Sequence, residues 1–331
     1  MANIGIIGTG VWGTALALTA ERAGNNVLCW ARSSEVVNDI HLYHINHQYL
    51  PDVILSEHID STSCLEDIFN FAKIVLLTVS AQSTRGVMQQ MKSFVKKDTI
   101  IVLCAKGLEE TTGMLLSEIA AEELPKTRIA ILSGPGFAAD VAKRKFVSVT
   151  IACQNKGIAE MLAQVLGTAY FRPYFTDDIV SPQIGGSVKN VIAIASGIVE
   201  GAKFGDGARA ALITRGLSEI ARLATMLGGD VSTIMGMCGL GDLVMTASCM
   251  QSRNFSFGVE IGKKGMAQQL IKDNKITVEG IYTAKAVVQR ARKMGIEMPI
   301  CEVVYRILYS GISLNDAMDE LLSRSYKREG I

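Results

Sequence analysis

Three glycines near the N-terminus have a spacing that suits phosphate binding. Gly8, Gly10 and Gly13 form the pattern Gly-x-Gly-x-x-Gly. In such a turn the first glycine allows a tight bend, the second lets backbone amides approach a pyrophosphate, and the third lets a following helix pack close to a preceding strand. The free N–H groups and positive dipole end of that helix then hold the anion. A glycine-rich turn in an unrelated α/β domain is the alternative.

The segments on either side of the glycines favour the phosphate-binding interpretation. The apolar run 4–7 has the composition of a buried parallel strand, and residues 14–23 form a helical pattern of small residues that Gly24 can terminate. A strand, a glycine turn and a helix follow one another in this order in dinucleotide-binding units. The sequence therefore predicts that this part of the chain binds NAD or NADP.

The end of the next predicted strand, residues 26–31, bears on which cofactor is used. Enzymes that prefer NAD usually place an acidic residue there for the ribose hydroxyls, whereas this chain continues with Arg32, Ser33 and Ser34. A cation and two hydroxyl groups favour a 2′-phosphate, so the sequence favours NADPH over NADH. The alternative is that Arg32 is only solvated and Glu35 binds the ribose.

Further apolar runs predict the rest of an open α/β sheet. They cover residues 72–79, 99–104 and 128–132, with two additional strands at 146–151 and 170–174. Ligands of such sheets bind beyond the carboxyl ends of the strands. Lys106 and the turn at Gly134 are therefore expected to meet substrate or nicotinamide, although Lys106 could equally be an exposed loop lysine.

From residue 181 onward the pattern is helical. Residues 184–199 are apolar nearly all round, which predicts a helix buried on every side, yet its first turns contain Lys189 and Asn190. A lysine there is costly unless it faces a polar site, and desolvation lowers a lysine pKa towards the range of a general acid or base. The alternative is a lysine that extends to the surface.

The densest polar stretch of the helical region is residues 239–254. In a region with few other polar clusters it indicates a site that grips an anion, with the guanidinium of Arg253 as the charged fork. Simple helix capping is the alternative. Other helices are predicted over 208–227, 279–294 and 299–309, and from a capping box at Ser313 to about Ser325. The candidate anion ligands are Asp242, Thr246, Ser252, Arg253 and Asn254.

Three histidines lie close together in the sequence, at His41, His44 and His47. Steps of three residues drift off one helix face, and no nearby cysteine or carboxylate completes a ligand set. We therefore predict no metal site and a loop that leads into Tyr49 and Pro51.

The bulk composition predicts an ordered enzyme of two domains. The chain has 331 residues, 49% of them hydrophobic, and 33 basic against 32 acidic residues, which favours neither nucleic acid nor a membrane surface as a partner. Its seven scattered cysteines lack a Cys-x-x-Cys pair and suggest reduced thiols and a cytoplasmic location. We expect no leader peptide and no membrane span. The apolar excess favours a homodimer.

These motifs together closely resemble the bacterial-type NAD(P)-dependent sn-glycerol-3-phosphate dehydrogenases, in order along nearly the whole chain. The resemblance rests on the glycine turn, Lys106-Gly-Leu, Gly134-Pro-Gly-Phe-Ala138, Lys189-Asn-Val, Gly239-Leu-Gly-Asp242 and Gln251-Ser-Arg-Asn254. It implies an α/β N-terminal Rossmann-type domain over 1–180 and an all-α C-terminal domain over 181–331, with the active site in the cleft between them. The implied reaction is reversible hydride transfer between NAD(P)H and dihydroxyacetone phosphate for phospholipid synthesis.

The resemblance also implies residue roles. Lys189 would be the catalytic acid and base, with its pKa lowered by Lys106 and raised by Asp242, and the sequence leaves open which effect is larger. Substrate binding would fall on Lys106, Gly134, Gly136, Lys189, Asp242, Thr246, Ser252, Arg253 and Asn254. Cofactor binding would fall on Gly8, Gly10, Val11, Trp12, Gly13, Arg32, Lys106, Ala138, Arg253, Val278 and Glu279.

The chain departs from the family pattern at two positions. The family usually has Ser or Thr where this chain has Gly136, and Thr where it has Ala105.

Two rival functions are also considered. A β-hydroxyacid dehydrogenase or ketopantoate reductase would act on substrates that carry a carboxylate in place of a phosphate. A non-catalytic NADPH-binding sensor would leave Lys189 and Arg253 without a purpose.

Overall fold

The computed structural model describes residues 1–273, 278–326 and 328. The chain divides into two compact units, Met1–Ala105 with Leu116–Ile179 and Lys106–Leu115 with Val180–Ile331. The segment Lys106–Leu115 belongs to the second unit, although its neighbours on both sides along the chain belong to the first. The sequence-based division at residue 180 did not include this excursion.

An eight-stranded sheet forms the centre of the first unit, in the order β10-β9-β8-β7-β6-β1-β2-β5. β8 and β9 are antiparallel and the other neighbouring strands are parallel. A separate antiparallel hairpin is formed by β3 and β4. The strands are β1 Asn3–Ile7, β2 Asn26–Trp30, β3 Ile45–Asn46, β4 Leu50–Ile54, β5 Ile59–Thr62, β6 Ile74–Leu77, β7 Ile100–Leu103, β8 Arg128–Ser133, β9 Val147–Ala152 and β10 Phe171–Thr176.

Helices connect these strands, and the inner strands are continuous apolar runs because such a sheet buries both of its faces. All four residues of β6 and of β7 are buried. The arrangement confirms the predicted Rossmann-type α/β fold. The helices are α1 Val11–Arg22, α2 Ser34–Asn38, α3 Leu65–Phe71, α4 Ala81–Met91, α5 Leu116–Glu123, α6 Ala138–Ala142 and α7 Lys156–Leu166.

The second unit is helical, as predicted, and is built around α8. Residues 181–199 of α8 are all buried, because other helices surround it. A Cβ on Gly197 would lie 2.1 Å from the carbonyl oxygen of Phe255, so glycine lets α12 approach α8 closely. The helices are α8 Ser181–Gly201, α9 Asp206–Met226, α10 Val231–Ile234, α11 Asp242–Thr246, α12 Arg253–Lys264, α13 Ala267–Asp273, α14 Glu279–Met294, α15 Pro299–Tyr305 and α16 Leu314–Leu322, with π-helical segments at Met237–Gly241 and Arg306–Ser310.

The histidine stretch differs from the predicted loop. Asp39–Tyr43 forms one π-helical turn, and β3 and β4 follow it. Two of the imidazoles contact carboxylates: His41 Nδ1 lies 2.8 Å from Asp60 Oδ1, and His47 Nδ1 lies 3.2 Å from Asp39 Oδ2. Periodicity could not reveal a hairpin whose strands contain only two and five residues.

The predicted helix start at Ser313 is confirmed, because its hydroxyl accepts from the backbone N–H of Asp316 at 3.1 Å, whereas α16 ends at Leu322, before the predicted end near Ser325. The seven cysteines form no disulfide. Within the described ranges, no helix combines the length and apolarity needed to cross a membrane.

Candidate active site

The glycine turn has the backbone that its three glycines predict. Gly8 has φ +107°, in the region that favours glycine, and a Cβ on Gly13 would lie 1.9 Å from the carbonyl oxygen of Gly8. Close packing of α1 onto the turn therefore requires a residue without a side chain. A Cβ on Gly10, in contrast, would meet no atom within 4 Å.

The N-terminus of α1 fits a bound pyrophosphate. Its first turn contains no acidic residue, and Gly10 at the N-cap supplies no side chain to occupy the free amides. A helix start with open amides and open space at its cap attracts an anion. The observed geometry thus matches the phosphate group of the cofactor that the sequence predicts.

Two side chains from elsewhere in the first unit donate hydrogen bonds to backbone carbonyl oxygens in and beside the glycine turn. Thr78 Oγ1 donates to the carbonyl oxygens of Ile7, at 3.1 Å, and Gly8. Asn46, fully buried on β3, donates to the carbonyl oxygen of Thr9 at 2.9 Å. Sequence reasoning missed both side chains, because each is far from the glycines along the chain.

The remaining predicted residues of the first unit lie at strand ends or helix starts. Val11 and Trp12 begin α1, and Ala138 begins α6. Gly134, after β8, has φ +143°, and its Cβ would lie 2.8 Å from Val149 Cα. Arg32 follows β2 and is exposed, as is the alternative ribose ligand at position 35. Both interpretations of cofactor preference therefore stand.

In the second unit, one buried carboxylate joins two predicted lysines. Lys189 Nζ donates to Asp242 Oδ1 and, at 2.8 Å, to Thr246 Oγ1. Lys106 Nζ donates to the other oxygen of the same carboxylate at 2.8 Å. Asp242 is 0% exposed, Lys189 4% and Thr246 4%. The structure thus brings together residues that are 53 and 136 positions apart.

Local backbone packing explains how Asp242 reaches Lys189. A Cβ on Gly185 of α8 would lie 2.5 Å from the carbonyl oxygen of Cys238, and one on Gly239 would lie 2.0 Å from that of Ile234. These glycines let the turn before α11 lie directly on α8. Asp242 and Thr246 then share one face of α11, since residues four apart lie above one another on a helix.

Burial lowers the pKa of Lys189 from its ordinary value of 10.5 to about 7. Loss of hydration is the largest cause, the attraction of Asp242 raises the pKa in part, and the like charge of Lys106 lowers it again. Of the two charged neighbours, Asp242 has the larger effect on the pKa of Lys189, and desolvation is the larger effect still, so the pKa stays below its ordinary value. A lysine with this pKa can give and take a proton near neutral pH.

Two buried amide side chains support the lysines. Asn254 Nδ2 donates to Asn190 Oδ1 at 2.9 Å, and Asn254 Oδ1 accepts from the backbone N–H of Gly280 at 2.9 Å. Asn190 Nδ2 contacts the carbonyl oxygen of Lys106 at 3.4 Å. Asn190 therefore links the helix that bears Lys189 to the segment that bears Lys106. In the sequence, the position of Asn190 beside Lys189 in the first turns of an otherwise apolar helix was the signal for this residue.

The predicted anion residues have different environments. Ser252 is buried and caps α12, because its hydroxyl accepts from the N–H of Phe255 at 3.3 Å. The capping alternative thus applies to Ser252. Arg253, the first residue of α12, is exposed.

Glu279 and Val278, two predicted cofactor contacts, lie at the start of α14. Burial raises the pKa of Glu279, and the nearby charge of Arg253 opposes the rise. The buried Oε2 of Glu279 has no hydrogen-bond partner within the described part of the chain. The hydroxyl group of a bound ligand would satisfy this acceptor.

Comparisons with known proteins decide the family. The N-terminal model of NAD-dependent glycerol-3-phosphate dehydrogenase matches residues 3–159, and the C-terminal model matches residues 178–319. The chain belongs to the NAD-dependent glycerol-3-phosphate dehydrogenase family. The resemblance inferred from the motifs is confirmed.

Individual members of the glycerol-3-phosphate dehydrogenase family match over the full length. Glycerol-3-phosphate dehydrogenase [NAD(P)+] of Parvibaculum lavamentivorans is 44% identical over 327 residues, covering 99% of this chain and 98% of that protein. That of Rhodospirillum rubrum is 44% identical over 328 residues, covering 99% and 94%. The crystal structure of glycerol-3-phosphate dehydrogenase from Coxiella burnetii is 38% identical with a TM-score of 0.90, covering 98% and 99%.

Neighbouring side chains lie close to Gly136, where glycerol-3-phosphate dehydrogenases usually have serine or threonine. A Cβ at Gly136 would lie 3.0 Å from Val147 Cγ1 and 3.6 Å from Trp12 Cη2. The space that a serine or threonine side chain would enter is thus partly taken by Val147. This family member supplies no hydroxyl at that position.

Proposed function

We propose that this chain catalyses reversible hydride transfer between NAD(P)H and dihydroxyacetone phosphate, giving sn-glycerol 3-phosphate. The observation that carries the proposal is the buried cluster in which Lys189, with a pKa of about 7, shares the carboxylate of Asp242 with Lys106. Membership of the glycerol-3-phosphate dehydrogenase family supports it.

The proton chemistry follows from the charges of the cluster. The nicotinamide cofactor supplies the hydride, and negative charge then develops on the former carbonyl oxygen of the substrate. Protonated Lys189 stabilises that oxygen and transfers its proton to it, and neutral Lys189 accepts the proton in the reverse direction. With two ammonium groups against one carboxylate, the cluster carries excess positive charge when Lys189 is protonated, which favours an anionic substrate.

The remaining assignments divide by unit. In the first unit, the turn residues Gly8, Gly10 and Gly13 would hold the pyrophosphate, and Arg32 would hold the 2′-phosphate of NADPH. In the second unit, the exposed guanidinium of Arg253 would bind the substrate phosphate.

We further propose that the first unit serves cofactor binding and the second substrate binding, that the protein is a cytoplasmic homodimer, and that its product feeds phospholipid synthesis.

The test is oxidation of NADPH, and separately of NADH, followed by absorbance at 340 nm on addition of dihydroxyacetone phosphate. Rapid oxidation is expected, with NADPH preferred. Lys189→Met should lose turnover by at least about a thousandfold and still bind NADPH, because it removes the acid but not the cofactor site. Turnover of keto acids instead would favour a β-hydroxyacid dehydrogenase or ketopantoate reductase, and tight NADPH binding without turnover of either class would favour the sensor.

A further inference from the structure

The hairpin that replaces the predicted histidine loop touches the glycine turn through one side chain. Asn46 on β3 is 0% exposed and uses both of its amide hydrogens, one on the carbonyl oxygen of Thr9 at 2.9 Å and one on Thr14 Oγ1 at 2.8 Å. Its Oδ1 accepts from the backbone N–H of Tyr49 at 3.2 Å. Asn46 therefore joins the hairpin, the glycine turn and the first turn of α1.

The bond to Thr9 fixes the orientation of one peptide group. The carbonyl of Thr9 and the N–H of Gly10 belong to the same planar trans peptide, so they point in opposite directions. Holding the carbonyl oxygen against the buried Asn46 turns the N–H of Gly10 away from the interior. The hydroxyl of Thr78 does the same for the preceding peptide, because it binds the carbonyl oxygen of Gly8.

We propose that Asn46 is a positioning residue for cofactor binding, which sets the Thr9–Gly10 peptide so that its N–H faces the pyrophosphate. The proposal rests on the proposed function, since it takes the glycine turn to be the cofactor site. Without Asn46 the carbonyl oxygen of Thr9 would keep only the longer contact from Thr14 Oγ1, at 3.3 Å, and that hydroxyl also donates to the carbonyl oxygen of Gly10 at 3.0 Å. Rotation of the peptide towards solvent would relieve the cost of the lost hydrogen bond. The rotated peptide would present an oxygen to the phosphate instead of a hydrogen.

A matched control exists in the same unit. Asn25 is also buried, donates to the carbonyl oxygens of Ala20 and Val165 at 2.9 and 2.8 Å, and accepts from the N–H of Ala2 at 3.0 Å. It has the same number of hydrogen bonds as Asn46 but contacts no residue of the glycine turn through them. Asn25→Ala therefore reproduces the loss of stability without the proposed positioning effect.

The experiment measures the Kd of NADPH and of ADP-ribose, which contain the pyrophosphate, and of adenosine 2′-phosphate, which does not. For Asn46→Ala we expect the first two constants to rise by about 10- to 100-fold, the range of one lost hydrogen bond to a charged group, and the third to stay within about threefold. Asn25→Ala should leave all three constants within about threefold of wild type at a similar loss of Tm. The KM for NADPH should rise with Asn46→Ala, while kcat at saturating NADPH changes little.

The outcomes distinguish failure of the proposed function from failure of the positioning role of Asn46. If wild-type protein binds neither NADPH nor NADH, the proposed function fails. If wild type binds but Asn46→Ala matches Asn25→Ala, or weakens adenosine 2′-phosphate as much as NADPH, the positioning role is overturned. Should Asn46→Ala give no cooperative thermal transition, the smaller change in the pair Asn46→Ser and Asn25→Ser answers the same question.

Discussion

Replacing Asp242 with asparagine should shift the pH profile of the reaction to lower pH. The carboxylate is the group that raises the pKa of Lys189 against burial and Lys106. A hydrogen bond to a charged group is worth about 1.5 to 3 kcal/mol, which corresponds to about 1 to 2 pKa units. We expect Asp242→Asn to lower the pKa of Lys189 from about 7 to about 5 to 6.

The shift has opposite effects on the two directions of reaction. Reduction of dihydroxyacetone phosphate needs protonated Lys189, so kcat/KM should fall by about 10- to 100-fold at pH 8 and stay within about threefold of wild type at pH 5. Oxidation of sn-glycerol 3-phosphate needs neutral Lys189, so its activity should persist to lower pH in the variant. Both profiles are obtained from initial rates between pH 5 and 9.5 at constant ionic strength.

Thr246→Val is the control for this experiment, because it removes a neutral partner of Lys189 and keeps the carboxylate. Thr246 carries no charge, so its loss removes no attraction between opposite charges, and the profile should move by about one pKa unit or less. A loss of activity in Asp242→Asn that is equal at every pH would refute the account of the Lys189 pKa. A shift in the pH profile of reduction without a shift in that of oxidation, or the reverse, would refute Lys189 as the acid and base of both directions.

Two further predictions concern stability. Glu219, buried on α9, accepts from the N–H groups of Ile300 and Cys301, and burial raises its pKa from 4.5 to about 7. A carboxyl that binds its proton more tightly when folded contributes stability that is lost as pH rises through this window. Between pH 4.5 and 7, the free energy of unfolding should therefore fall by up to about 3 kcal/mol more in the wild type than in Glu219→Gln. Urea unfolding at each pH measures both proteins, and an equal change of the free energy of unfolding with pH in the two would contradict this prediction. Gly13→Ala should lower the free energy of unfolding by about 3 kcal/mol or more, because the added Cβ clashes with the carbonyl oxygen of Gly8. Gly10→Ala should melt like wild type, because its Cβ meets no protein atom within 4 Å, and should lose NADPH affinity. A thermal melt and a binding titration of each variant distinguish the two, and equal melting temperatures would contradict the packing effect at Gly13.

The parts of the structure that sequence predicted are those set by neighbours along the chain. The apolar run before Gly8, the buried helix around Lys189 and the capping box at Ser313 each depend on residues within a few positions. Burial and helix periodicity are properties of such short windows. The fold class and the chemical character of Lys189 followed from them.

The parts that sequence did not predict depend on contacts between distant segments. The shared carboxylate lies 136 residues from Lys106, and only the folded backbone shows that it binds both lysines. Asn46 was missed for the same reason, since its importance comes from the carbonyl oxygen of Thr9, 37 residues earlier. The balance of burial against charge at Lys189 likewise needs positions in space, because each contribution depends on distance.

The excursion of Lys106–Leu115 into the second unit means that the chain passes between the units three times, after Ala105, after Leu115 and after Ile179. Cutting the chain after Ile179 alone leaves two covalent connections between the units. Residues 180–331 made on their own would also lack Lys106, one of the two lysines that share the carboxylate of Asp242. A chimera that joins residues 1–179 of one relative to the remainder of another would combine a lysine from the first parent with a carboxylate from the second. Recombination at the apparent domain junction therefore divides the cluster of Lys106, Asp242 and Lys189 rather than preserving it.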